Sequence, residues 1–172
     1  MALSTLQPHV KDKTVVELGC GSGFFARQLQ AAAKPKHITG IDFSGAAVAR
    51  ANAEATKIGL ESTMNFKEGD CSKIDMPEAD VTIGLGFLDY LAPHEIKALF
   101  ERIKSKKILF TFSSTGFYLL RYVHIAYLKS QSCPKHFYYH EDELKELIGN
   151  KFGPLTVVSD RSMSFGRILH NL

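Results

Sequence analysis

The apolar, β-branched run Val15-Val16-Glu17-Leu18 leads directly into the glycine cluster Gly19-Cys20-Gly21-Ser22-Gly23, and Phe24-Phe25-Ala26-Arg27-Gln28-Leu29 follows it. This order reads as strand, tight turn and helix. Glycines in such a turn let the backbone approach a ligand that a Cβ would repel. The helix N-terminus behind them turns N–H groups toward whatever polar group lies over the turn. Nucleotide-type ligands are bound in this way.

The glycine spacing narrows the choice. A dinucleotide fingerprint runs G-x-G-x-x-G, with its third glycine allowing the helix to pack closely on the strand. Here the spacing is G-x-G-x-G, and Phe24 stands where that third glycine would be. A pyrophosphate site is therefore a poor fit. The next apolar run, Ile38-Thr39-Gly40-Ile41, ends in Asp42, which lies 19 residues beyond Gly23. That is about the distance at which an acidic residue reaches a ribose diol. Met64-Asn65-Phe66-Lys67 leads to Gly69-Asp70, and Ala79-Asp80-Val81-Thr82-Ile83-Gly84 leads to Leu85-Gly86-Phe87-Leu88-Asp89-Tyr90. One carboxylate after a strand is most simply a helix cap. Glycines or carboxylates after four successive strands instead converge on the sheet edge where open α/β sheets bind ligands.

Together these stretches resemble the class I S-adenosylmethionine-dependent methyltransferases over nearly the whole chain. The resemblance is carried by 15–23, by Gly40-Ile41-Asp42-Phe43-Ser44, by Gly69-Asp70-Cys71 and by Ala79-Asp80-Val81-Thr82-Ile83. It implies S-adenosyl-L-methionine as cofactor. Glu17 and the loop Gly19, Cys20, Gly21 and Gly23 would surround its methionine part, and Asp42 would accept from the ribose hydroxyls. Phe43 would flank the adenine, Asp70 would accept from the adenine amine, and the Cys71 backbone would lie beside it. Leu85, Gly86 and Phe87 would lie under the methionine and face the acceptor. The chemistry is coherent, because carboxylates accept from a diol and from an exocyclic amine.

The chain alternates strand and helix. Strands are expected at 14–18, 38–42, 64–67, 81–85 and 108–113, with helices at 24–33, 46–58 and 93–103. Ser44 suits a helix N-cap, Gly59 a helix stop and Pro93 a first helical turn. Strands separated by helices predict right-handed βαβ units and a parallel sheet. After 113 the rhythm breaks: a helix is expected at 141–148 and two strands at 155–159 and 164–170. The expected fold is therefore α/β, a Rossmann-like doubly wound sheet of one domain over 1–172. It is mostly parallel, and the resemblance makes its end an antiparallel C-terminal hairpin strand.

Only about 13 residues precede the first strand, so the N-terminal cap usual in the family is expected to be short or absent. Segment 114–140 is the candidate roof, a helical lid insertion. Its part 117–129 is apolar on nearly every helical face, as suits packing on the core, lining an apolar acceptor site, or a weak membrane-surface contact. A second copy of the chain, in a homo-oligomer, is another way to complete the roof. Methyl transfer mainly requires alignment and exclusion of water, with a base within reach where the acceptor is an O–H or N–H. Tyr90 and His124 are the catalytic candidates, with Phe87 as a further acceptor contact. Asp89, His94, His136 and His140 are the other groups of suitable chemistry. Tyr138-Tyr139-His140 most simply anchors the last helix.

Composition excludes several classes. A net charge of +3 and a pI near 8.7 are too mildly basic to argue for nucleic acid. Cys20, Cys71 and Cys133 are scattered without metal-ligand spacing, which argues against zinc and disulfides and for a reducing, cytoplasmic setting. No run reaches the roughly 18 apolar residues of a membrane span. The fourth strand is not followed by Asn-Pro-Pro-Tyr, Asp-Pro-Pro-Tyr or Pro-Cys, which leaves a small-molecule acceptor. The competing readings are a non-catalytic cofactor-binding module of the same fold and a nicotinamide-dependent (NAD) oxidoreductase.

Overall fold

The computed structural model describes residues 1–114, 136–159 and 166–172. A nine-residue helix α1 (Ala2–Val10) precedes β1 (Thr14–Leu18) and α2 (Phe24–Ala33). Next come β2 (His37–Asp42), α3 (Gly45–Lys57), β3 (Met64–Glu68) and β4 (Val81–Gly84). A 3₁₀ turn (Leu88–Tyr90), α4 (Pro93–Arg102) and β5 (Lys107–Ser113) follow. The described chain ends with α5 (Glu141–Ile148), β6 (Thr156–Ser159) and β7 (Gly166–His170).

The strands form one seven-stranded sheet in the order β3-β2-β1-β4-β5-β7-β6. The pairs from β3 through β5 are parallel, while β7 runs antiparallel to both β5 and β6. The expected mixed sheet with its C-terminal antiparallel strand is the one observed. Strand order reverses between β1 and β4, and that switch point is where an open α/β sheet leaves a crevice at the carboxyl ends of its strands.

Burial on both faces explains the near-continuous apolar strands. Ile108, Phe110 and Phe112 of β5 pack with Ile96, Leu99 and Phe100 of α4 and with Leu144 and Ile148 of α5. Leu109, one residue out of step, faces the other side with Val15 of β1, Leu6 and Val10 of α1, Leu29 of α2 and Ala51 of α3. This is the two-residue alternation of a pleated strand. Each fully buried Leu, Ile or Phe in these layers contributes about 1.5–3 kcal/mol relative to exposure.

The helix boundaries have local causes. Ser44 Oγ accepts from the Ala47 amide at 3.3 Å, and Gly59 adopts φ +69° just after α3. Pro93 opens α4, where Glu95 Oε2 accepts from the Ala92 amide at 2.7 Å. Helix α1, ahead of the first strand, docks on the core through Leu6 and Val10. Tyr139 is buried, and its hydroxyl donates to the Leu91 carbonyl, so it ties the approach to α5 onto the segment after β4. Most of the expected lid, 115–135, lies outside the described residues, as does the turn at 160–165. Among the described residues no helix is long and apolar enough to cross a membrane.

Candidate active site

The crevice at the switch point is a cavity of about 860 Å³ whose lining comes from the ends of four strands. Gly19 follows β1, Asp42 and Phe43 end and follow β2, and Asp70, Cys71 and Ser72 follow β3. Leu85, Gly86, Phe87, Tyr90 and Leu91 follow β4. Glu17, Cys20, Gly21 and Gly23 lie in or under the same loop but are not on the cavity wall.

The end of β2 organises the glycine loop. The Ile41 carbonyl accepts from the Gly19 amide at 2.8 Å and from the Cys20 amide at 3.2 Å. Asp42 Oδ2 accepts from the Gly21 amide at 2.8 Å, and Oδ1 accepts from the Ser44 amide at 2.9 Å. The Asp42 carbonyl in turn accepts from the Gly69 amide at 2.9 Å, so one residue joins the loops after β1, β2 and β3. An ionised carboxylate has about four acceptor positions. Asp42 uses two of them on backbone amides and keeps acceptor capacity for a ligand diol.

Gly19, Gly21 and Gly23 all have positive φ. Gly21 has open space where a Cβ would stand. At Gly23 a Cβ would meet Phe66 Cζ at 2.6 Å, and Gly23 caps α2 in the left-handed conformation. Gly23 therefore does the close-packing work that a third fingerprint glycine does elsewhere, one position early. Phe24 consequently points outward without obstructing the turn.

Glu17 is only 3% exposed, and its Oε2 has no hydrogen-bond partner among the described residues. Burial first, and the nearby Asp42 charge second, push its carboxyl up to about 8, against a smaller opposing pull from the Ala26 amide. A neutral carboxyl thus lies under the glycine loop at neutral pH. Asp70 is held quite differently. Its Oδ1 accepts from the Ser72 hydroxyl at 2.6 Å and the Ser72 amide at 2.8 Å, and its Oδ2 faces Lys73 Nζ at 3.0 Å. The bonds from Ser72 and Lys73 hold it down at about 2, so it stays ionised. Burial pushes the Cys71 thiol up to about 11 and raises Cys20 as well. Both are thiols at neutral pH and behave as small apolar groups.

Phe43 is 79% exposed on the cavity rim, and Tyr90 is 50% exposed on the wall after β4. The Tyr90 ring meets His136 edge-on at a centroid distance of 6.0 Å. Asp89, beside it, is buried and accepts from the Ser113 amide at 2.7 Å and the Ser113 hydroxyl at 2.8 Å. His94 and His140 are exposed, and neither lines the cavity. His124 lies outside the described residues.

A second, smaller cavity of about 380 Å³ shares Leu85 and Gly86 with the first. Its wall is built from Leu3 of α1, Phe25 and Gln28 of α2, Asp89, and Thr111 to Ser113 of β5. Thr111 Oγ1 accepts from the Gly86 amide at 2.6 Å and fixes the partition between the two cavities, with Gly86 at φ +62°. Thr111 and Ser113 were not among the sequence candidates. The left-handed demand on Gly86 was the signal available, but nothing in the sequence names its partner on β5.

A family model described as a methyltransferase domain matches residues 15–106, the stretch that runs from β1 to the start of β5. The chain belongs to the methyltransferase-domain family. The family is that of the class I S-adenosylmethionine-dependent methyltransferases, and S-adenosylmethionine is its cofactor. Among solved structures, magnesium protoporphyrin IX methyltransferase from Synechocystis PCC 6803 with bound SAH is similar at TM-score 0.73 and 19% identity. That likeness covers 98% of this chain and 78% of the other. Human N-acetylserotonin methyltransferase in complex with SAM is similar at TM-score 0.70 and 22% identity. It covers 91% of this chain, which spans 46% of the human one. These likenesses show a shared fold. No curated protein matches the sequence significantly.

The cavity of this methyltransferase suits the family's cofactor on its own chemistry. A carboxylate with spare acceptor capacity, an exposed aromatic beside it and a second ionised carboxylate after the neighbouring strand match a diol, a planar base and an amine. The open space over Gly21 leaves room for close approach of a ligand to the loop.

Proposed function

We propose that this methyltransferase transfers a methyl group from S-adenosylmethionine to a small, partly apolar acceptor by in-line displacement. The observation that carries the reading is the pair of amide bonds on Asp42, which places a carboxylate with open acceptor positions directly across from the glycine loop. Asp42 would hold the ribose hydroxyls, Phe43 the adenine face and Asp70 the adenine amine. Gly19, Gly21 and Leu85 to Phe87 would shape the space for the methionine part, with the neutral Glu17 beneath the loop. When bound, the cofactor supplies a methyl group already activated on a sulfonium.

The chain's own work is then alignment and exclusion of water. The second cavity is our choice for the acceptor, because it adjoins the first across Leu85 and Gly86 and is mostly apolar, with Gln28, Asp89, Thr111 and Ser113 as polar groups. A site of that kind orients an apolar molecule through a few fixed hydrogen bonds. Tyr90 would face the acceptor from the first cavity. The family match speaks against a nicotinamide oxidoreductase.

Calorimetric titration with S-adenosylmethionine, S-adenosylhomocysteine and NADH tests the cofactor assignment. Binding of both adenosyl ligands and none of NADH is the expected result, while preferential binding of NADH would overturn it. Methyl transfer is tested by incubating the protein with methyl-labelled cofactor and a panel of phenols, catechols and aromatic amines. Cofactor binding without label transfer to any of them would favour a non-catalytic module.

A further inference from the structure

The wall formed by Asp70, Cys71 and Ser72 is a short turn, not a strand. Inside the turn, the Asp70 carbonyl accepts from the Lys73 amide at 2.8 Å and the Ile74 amide at 3.0 Å. Two further carbonyls, those of Cys71 and Ile74, are taken by one side chain of α4. Arg102, in the last turn of α4, donates from Nη2 to the Cys71 carbonyl at 2.5 Å and from Nη1 to the Ile74 carbonyl at 2.8 Å. Its Nε donates to the Ala98 carbonyl at 3.2 Å, which fixes the guanidinium against its own helix. Lys151 Nζ in turn holds the end of α4 by donating to the carbonyls of Phe100, Glu101 and Ile103.

The guanidinium meets the Cys71 and Ile74 carbonyls with two separate nitrogens of one rigid plane. A lysine at this position would offer a single compact ammonium on a flexible stem and hold their spacing less firmly. Bonds to a charged donor are also stronger than neutral ones. We propose that Arg102 is a positioning residue for the cofactor: from outside the cavity it sets the pitch of the turn that presents Asp70, Cys71 and Ser72. Arg102 itself does not line the cavity. This inference rests on the reading above that the turn faces the adenine. Binding sites need such support, because small displacements of a recognition group lose its contribution.

Two measurements test it. The first needs no ligand. In Arg102→Ala, the amides of Lys73 and Ile74 are expected to exchange with solvent about tenfold faster, while amides of β1 and β4 keep their wild-type protection. Unchanged exchange at Lys73 and Ile74 would overturn the proposal. The second compares S-adenosylhomocysteine with its inosine analogue, in which a carbonyl replaces the adenine amine. Wild type is expected to prefer the adenosyl ligand. Arg102→Ala is expected to bind it about tenfold more weakly and to lose most of the preference, and Arg102→Lys is expected to follow Ala and not restore it. An adenosyl-to-inosyl ratio that stays at the wild-type value, or full rescue by Lys, would reduce Arg102 to a structural clamp. Failure of wild type to bind either ligand would strike the cofactor reading, and the exchange measurement would still decide whether Arg102 sets the turn.

Discussion

The carboxylates after β2 and after β3 face one cavity from neighbouring strand ends, yet they are held in opposite ways. Asp42 is fixed by amides from two different loops, and its own carbonyl grips a third. Asp70 is satisfied within its own turn, by Ser72 and Lys73, and that turn depends on Arg102 from another element. One wall of the cavity is therefore part of the fold's wiring, and the other is a separable piece clipped onto it. Substitution of Asp42 should damage folding and binding together, and substitution of Asp70 should act on binding alone.

The largest effect expected from this contrast is that of Asp42→Ala. It removes acceptors from the Gly21 and Ser44 amides, and hydrogen bonds to a charged group contribute about 1.5–3 kcal/mol each. Thermal unfolding should occur several degrees lower, and calorimetry should show a loss of affinity for S-adenosylhomocysteine of about 100-fold. Full stability with lost affinity would break the comparison, because Asp42 would then be no more integrated than Asp70.

Glu17 sharpens the same side through pH. Its carboxyl is raised from 4.5 to about 8 in the folded protein, so between those values the folded state retains a proton that the unfolded state has released. Its contribution to stability is complete below about 4.5 and declines as pH rises toward 8. Glu17→Gln stays neutral throughout. The variant should match wild type in melting temperature near pH 5 and exceed it by several degrees near pH 8.5. Parallel curves across that range would show that the carboxyl ionises freely.

Asp70→Ala should have a smaller effect, confined to binding. The side chain is one-third exposed, and its partners lie within its own turn. A drop in affinity of about five- to tenfold, with a melting temperature within about two degrees of wild type, is the expected outcome. The group stays ionised down to about 2, so its stabilising interactions are complete above 3.8 and fade only as pH falls toward 2. Any affinity lost between pH 5 and pH 4 must come from another group. A destabilisation as large as that of Asp42→Ala would erase the distinction between the two walls.

How far the sequence revealed this arrangement follows the same division. Local signals were legible: the glycine loop, the N-cap at Ser44, the stop at Gly59, Pro93 and the carboxylates at strand ends all carry their cause within a few residues. Helices α2 and α5 and strand β1 begin and end at the expected residues, and the sheet has the expected direction changes. Contacts made by side chains across the fold were not legible. Arg102 reaching the Cys71 carbonyl, Thr111 accepting from Gly86 and Ser113 donating to Asp89 have no periodicity or motif to announce them. Helix α1 is not among the expected helices, and its sequence signal is weak: just two of its residues, Leu6 and Val10, are buried, and Pro8 lies inside it. The packing role of Gly23 was not legible either: the sequence shows a glycine one position early, but the Phe66 ring that demands it comes from β3.

The smallest effect on stability should come from Phe43, which nonetheless separates binding from folding most cleanly. The ring is 79% exposed, so its removal deprives the core of nothing. It stands beside Asp42 on the cavity rim, where a planar base would cover one of its faces. Aromatic stacking contributes about 0.5–1.5 kcal/mol beyond area burial, which corresponds to roughly two- to tenfold in affinity. Phe43→Ala should therefore melt within a degree of wild type and bind S-adenosylhomocysteine about fivefold more weakly. Phe43→Tyr should recover most of that loss, because it restores the ring. Recovery by Phe43→Leu to the same extent would mean that the rim contributes only apolar cover. The site would then distinguish its base by Asp70 and the turn behind it alone.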